Sequence, residues 1–254
     1  MKKISYLAVA VALCSTLLAC GGGGGSSAAS APAATTPAAQ GAYSGVNSAG
    51  TVYNALILDD GSFYSYYGTM SGNALYVNGV GIGKATSANS SWSVSYNDYQ
   101  GGALLAAGTG SGTYTSTSLS GSNSEAGQSS SFTLSVPAAN IYLYKTPAVV
   151  SSIVGSWSGS ATDGSSNAWT VNANGTFTGM DTSGCTYSGT FTPRANGVNV
   201  FNLAITFGAA PCILAGRQVA GVALTYLLSN GQTEMVAMAA NTAPALGIGL
   251  FGVR

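Results

Sequence analysis

Gly41-Ala42-Tyr43-Ser44-Gly45 and, 114 positions later, Gly155-Ser156-Trp157-Ser158-Gly159 are two copies of one pattern, and their spacing organises the chain. The offset continues without a gap: Gly50 falls on Gly164, Asp60-Gly61 on Asn174-Gly175, and Phe63 on Phe177. Glycine supplies 36 of the 254 residues and inflates such matches, but the aromatic pairs Tyr43/Trp157 and Phe63/Phe177 owe nothing to it. A fixed offset of this kind is the signature of an internal repeat. It predicts lobe 1 over 41–147 and lobe 2 over 152–254, joined at Lys145-Thr146-Pro147.

Within each lobe the apolar residues alternate with small or polar ones. Trp92-Ser93-Val94-Ser95-Tyr96, Phe132-Thr133-Leu134-Ser135-Val136 and Phe201-Asn202-Leu203-Ala204-Ile205-Thr206-Phe207 are period-two runs, the pattern of strands with one buried face. Asp60-Gly61 and Asn174-Gly175 are the dipeptides of type I′ hairpin turns. Each lobe has room for about eight short strands with tight turns. Such a set removes its open edges by closing into a small antiparallel barrel or packing as a sandwich. The expected fold is all-β: two tandem small antiparallel β-barrel or sandwich lobes. Leu246-Gly247-Ile248-Gly249-Leu250 reads as the strand that closes lobe 2, and Ile213 as the start of another strand.

Ahead of the lobes stand Lys2 and Lys3, an apolar run over residues 4–19, and then Cys20 followed by five glycines. A charged start, a short apolar segment and small residues before a cut make a secretory signal. The run is shorter than the roughly 20 apolar residues of a spanning helix. Leu17-Leu18-Ala19-Cys20 resembles the lipobox of bacterial lipoproteins at every position. That resemblance implies a signal peptide over 1–19 and a mature chain that starts at a palmitate-type lipidated Cys20. Gly21, where an aspartate would retain the protein at the inner membrane, points by the same resemblance to the outer membrane, facing the periplasm or the cell surface. Residues 20–40, rich in Gly, Ser, Ala and Pro, read as a disordered tether. The whole layout resembles a set of small two-lobed proteobacterial lipoproteins. In architecture it is similar to surface lipoproteins with eight-stranded lobes, such as transferrin-binding protein B and factor H binding protein.

Composition narrows the chemistry. Charged residues make up 6% of the chain, and without Lys2 and Lys3 five basic side chains face seven acidic ones, so no basic footprint for nucleic acid exists. The chain contains no histidine, which removes the usual general base and the commonest metal ligand. With Cys14 in the signal and Cys20 at the lipid site, Cys185 and Cys212 remain in an exported chain and are predicted to form a disulfide. Gly79-Val80-Gly81-Ile82-Gly83-Lys84 lacks the first glycine and the Ser/Thr of a phosphate loop and reads as a glycine-rich strand. Asp59-Asp60 would point to opposite faces of a strand, and Asp163 to Asn167 lacks a full calcium-loop pattern, so neither is a metal or catalytic motif. No cofactor is expected.

Eleven of the fourteen tyrosines lie in lobe 1. If Phe63 faces the core, Tyr64 and Tyr66 point outward and form a candidate surface for a protein or glycan partner; the alternatives are plain strand preference or packing of one lobe on the other. The leading expectation is a non-enzymatic outer-membrane lipoprotein with a binding or envelope-structural role, attached to the membrane by its lipid. A lipocalin-like carrier of a small apolar ligand and a carboxylate-based hydrolase stand as alternatives.

Overall fold

The computed structural model describes residues 39–71, 74–243 and 245–254. The expected signal peptide, Cys20 and all but the last two residues of the expected tether lie outside the described residues. The described residues form sixteen strands in two closed antiparallel eight-stranded barrels. Barrel 1 holds β1 Gly41–Asn47, β2 Val52–Ile57, β3 Ser62–Ser71, β4 Ala74–Ala88, β5 Ser91–Gln100, β6 Ala103–Tyr114, β7 Ser118–Glu125 and β8 Gln128–Ser135. Barrel 2 holds β9 Gly155–Ala161, β10 Ser166–Val171, β11 Thr176–Asp181, β12 Thr186–Pro193, β13 Phe201–Phe207, β14 Gln218–Leu227, β15 Thr233–Ala240 and β16 Gly247–Val253. Each strand pairs with its chain neighbours, and β1–β8 and β16–β9 close the two rings. Among the described residues the single helical element is a 3-10 turn at Val150–Ser152.

The 114-residue offset maps β1 onto β9 and β2 onto β10 end to end. It extends to the plugs beneath each barrel. Tyr43 Oη donates to the carbonyl of Ala39 at 3.0 Å, and Trp157 Nε1 to that of Ile153 at 2.8 Å; both carbonyls lie four residues upstream and 114 apart. Beyond β3 the copies diverge, because β3 and β4 continue past a bulge at Tyr67/Gly68 into a longer hairpin.

The turns depart from expectation at the two quoted dipeptides. Gly61 and Gly175 adopt positive φ (76° and 83°), but Asp60 and Asn174 do not. Gly61 N donates to Leu58 O and Leu58 N to Ser62 O, and Asn172 to Thr176 repeats the arrangement. These are three-residue loops, a type I turn followed by a left-handed glycine bulge. The same bonds recur at Gly50, Gly164, Gly184 and Gly231. Paired positive φ values, as a type I′ turn needs, occur instead at Asn89-Ser90, Gly101-Gly102 and Ala126-Gly127.

Inward residues fill both barrels. Barrel 1 packs Tyr43, Phe63, Trp92, Tyr96, Leu119 and Leu134. Barrel 2 packs Trp157, Trp169, Phe177, Phe191, Phe201 and Ile205 among others. Glycines lie where rings need room: a Cβ on Gly108 would stand 2.3 Å from the Tyr96 ring, and one on Gly252 2.0 Å from Trp169. The Cys185–Cys212 disulfide is present and ties the end of the β11–β12 turn to the loop between β13 and β14. Ile213 lies in that loop, 66% exposed, and not in a strand.

A third core joins the barrels. Leu56, Tyr66, Val80 and Tyr99 from barrel 1 meet Val222, Leu224, Val236, Met238 and Phe251 from barrel 2. Tyr142 and Tyr144, expected within lobe 1, lie outside its strands and pack into this seam. β16 has two buried faces. Ile248 and Leu250 enter barrel 2. Gly247 and Gly249 lie against barrel 1, where a Cβ would come within 2.6 Å of the Tyr99 ring and 2.8 Å of Val80.

Candidate functional site

Tyr64 and Tyr66 do project to the outer side of barrel 1, as the alternation predicts, but barrel 2 covers that side. Tyr66 is 6% exposed and meets Phe251 edge-on at 5.4 Å between centroids. Tyr64 is half-buried against the same seam. The pair is therefore lobe-to-lobe packing and not an open surface, which corrects the outward reading. Asp59 and Asp60 change role as well. They sit in a turn, where strand alternation does not apply, and both reach Arg194 of barrel 2, at 2.8 and 3.4 Å. Arg194 also donates to Asn202 Oδ1 at 3.1 Å. The Ser62 bonds and the cations Lys84 and Arg194 outweigh burial and hold the Asp60 carboxyl below its ordinary pKa.

The polar groups that converge most closely lie at the mouth of barrel 1, where the β1–β2, β5–β6 and β7–β8 turns gather. Asp98 continues the inward set Trp92, Val94 and Tyr96 on β5 and has no exposed surface. Tyr67 Oη donates to Asp98 Oδ2 at 2.6 Å, and Gln100 Nε2 donates to Tyr67 Oη at 2.7 Å. Asp98 Oδ1 is buried without a partner. Glu125, at the end of β7, is the neighbouring carboxyl beside Asp98 and Tyr96. Burial raises the pKa of both carboxyls, and the charge of Asp98 raises that of Glu125 further. Beside them Asn123 donates to Tyr96 Oη at 3.3 Å and accepts from Ser130 Oγ at 2.6 Å. Tyr53 stacks on Tyr67 at 5.3 Å and on Phe132 at 6.4 Å.

The seven acids are thus less scattered than their spacing suggests. Hydrolysis by two carboxylates requires a substrate between them, and here the inner carboxylate is sealed. The cavity beneath, lined by Tyr53, Phe63, Trp92, Tyr96, Asn123 and Phe132 among others, measures about 20 Å³. Ligand pockets run to about 300–1,000 Å³, well above this cavity. Larger concave space lies on the outside of barrel 1. Two adjoining depressions of about 560 and 600 Å³ cross β4 to β7 and share Lys84, Ser95, Thr109 and Ser124. Outward positions there are hydroxyl-bearing in register: Thr86 faces Ser93, Ser95 faces Thr109, Thr109 faces Ser124, and Ser111 faces Ser122. Lys84 is the cation on this face and donates to Ser62 Oγ at 2.9 Å.

No protein family matches this sequence, and no curated protein does. Two solved structures are similar over most of the chain. A protein of unknown function from the DUF3598 family of Nostoc punctiforme is 9% identical, with 85% of this chain and 95% of that chain covered and a TM-score of 0.25. Isotype 1 transferrin binding protein B from serogroup B Neisseria meningitidis is 8% identical, with 80% of this chain and 65% of that chain covered and a TM-score of 0.24. At those scores neither likeness bears on what the chain does.

Proposed function

We propose that this protein is a non-enzymatic binding lipoprotein, held at the outer membrane by lipid on Cys20, whose barrels meet a protein or glycan partner with their outer faces. The observation that supports this most is the filling of both interiors: a barrel with no ligand-sized lumen has its exterior left for recognition. The broad hydroxyl-lined depressions over β4 to β7 offer that exterior, with donors and acceptors at most outward positions and little charge to exclude a neutral partner. The sealed carboxylate pair weighs against turnover, and the absence of histidine from the whole chain weighs the same way.

The test combines lipid labelling and topology. Cells fed an alkyne-bearing palmitate should label the wild-type protein in the outer-membrane fraction, and Cys20→Ala should abolish both label and membrane association. Protease shaving of intact cells, with a periplasmic leak control, then assigns the face. A wild-type protein that is unlabelled and fractionates as soluble would overturn the anchored reading.

A further inference from the structure

The mouth of barrel 2 gathers oxygen atoms that the binding role leaves unused. Asp163 lies in the β9–β10 turn, Asn167 near the start of β10, and Asp181 at the end of β11, directly opposite Asn167 in the ladder. Thr182 N donates to Ser166 O at 2.9 Å and ties the two turns together. Directly opposed residues share a face, and Asn167, 6% exposed, faces inward toward Tyr187 of β12. Asp163 Oδ1 accepts from Ser165 N and Oγ, and Asp181 Oδ1 accepts from Ser183 N, Ser183 Oγ and Cys185 N, which leaves the second oxygen of each. Asn167 spends its amide N–H groups on Ser165, leaving its carbonyl oxygen.

These residues line one cavity of about 20 Å³, covered by Ile213 and Leu214. Tyr187 lines it too. Its side chain is 4% exposed, yet its hydroxyl has no hydrogen-bond partner. A buried hydroxyl left unmatched is costly, so an occupant belongs in this space. The volume suits one water or one bare ion. No basic side chain lines the cavity to balance the two aspartates.

We propose that the mouth of barrel 2 is a calcium site, with Asp163, Asn167 and Asp181 as oxygen ligands and the Tyr187 hydroxyl as the inner wall. The donors are oxygen alone, which selects a hard cation, and the set is irregular and only partly protein-derived, which calcium tolerates and magnesium does not. Calcium sites of this open kind in extracellular modules have Kd of about 10⁻⁴–10⁻³ M.

Calorimetric titration of CaCl₂ into the full-length protein in detergent, freed of metal with a chelator, tests this. One site in that range is expected, with MgCl₂ at least tenfold weaker. Asp163→Asn and Asp181→Asn should each weaken calcium at least tenfold, while circular dichroism reports whether each variant is folded. Tyr187→Phe should weaken it by a smaller factor. The wild-type titration is decisive whether or not the variants fold: no saturable heat up to 10 mM, about ten times the weaker expected Kd, means that water fills the cavity and the proposal fails. Binding that survives both aspartate changes in folded protein places the ion elsewhere, such as beside Asp98 and Glu125, and equally overturns it.

Discussion

Replacing Tyr66 by serine removes a ring from the seam that joins the barrels. The ring is 6% exposed, packs among Leu56, Val80, Tyr142 and Phe251, and meets Phe251 at 5.4 Å with the planes 62° apart. Truncating a buried aromatic costs about 3–5 kcal/mol, of which about 0.5–1.5 kcal/mol belongs to the aromatic pair itself. For a body of this size 1 kcal/mol moves the thermal midpoint by about 2–4 °C. Tyr66→Ser should therefore melt roughly 6–20 °C below wild type. Tyr66→Phe keeps the ring and separates the hydroxyl's share. Tyr64→Ser, half-buried two residues away, should cost about 1 kcal/mol. The assay is thermal unfolding of the purified protein in detergent, followed by near-ultraviolet circular dichroism. A Tyr66→Ser protein that melts within about 2 °C of wild type, no worse than Tyr64→Ser, would refute the seam as a source of stability and restore Tyr66 to the exposed surface.

Two further outcomes follow from the barrels. Asp98 and Glu125 have raised pKa values in the folded state, so the stability they contribute is full below the unfolded carboxyl range near pH 4 and is lost as pH rises through the raised values. Asp98→Asn should accordingly gain stability over wild type as pH climbs from about 4 to 7, measured as the difference between their urea midpoints; a difference constant with pH would show that folding does not raise the Asp98 carboxyl. The Cys185–Cys212 bond closes a separation of 27 residues, worth about 3.5 kcal/mol in the chain-entropy model. Cys185→Ser with Cys212→Ser should lower the urea midpoint accordingly, and an unchanged midpoint would mean that the loop is ordered by other contacts.

The repeat and the alternation made two eight-stranded lobes readable because both are local regularities. The offset survives in β1, β2, β9 and β10, and burial follows parity along β5 and β13. Parity also marked Asp98, which falls on the inward positions of Trp92, Val94 and Tyr96; an acid there is the sign of a buried polar cluster. What alternation does not encode is which outward face a second lobe will cover. Tyr66 and Tyr99 obey the strand pattern and are buried nonetheless by residues some 150 positions downstream. Arg194 meeting Asp59 and Asp60 was hidden for the same reason, since the partners lie on different barrels. The turn error has a different origin: Asp-Gly and Asn-Gly suit a type I′ turn and a glycine bulge equally, and one extra loop residue decides between them.

β16 sets the order in which this molecule can be completed. Barrel 1 closes on residues 41–135 alone, whereas barrel 2 and the seam both wait for the stretch from Gly247 to Val253. Until it arrives, β9 and β15 each lack a neighbour, and the flank of barrel 1 around Tyr66, Val80 and Tyr99 lacks Phe251. Unpaired edges beside an apolar flank are what holdase chaperones and proteases recognise. A strand whose glycines let it lie between two bodies therefore closes a ring and a seam in one step: its pairing withdraws two open edges and part of an apolar flank together.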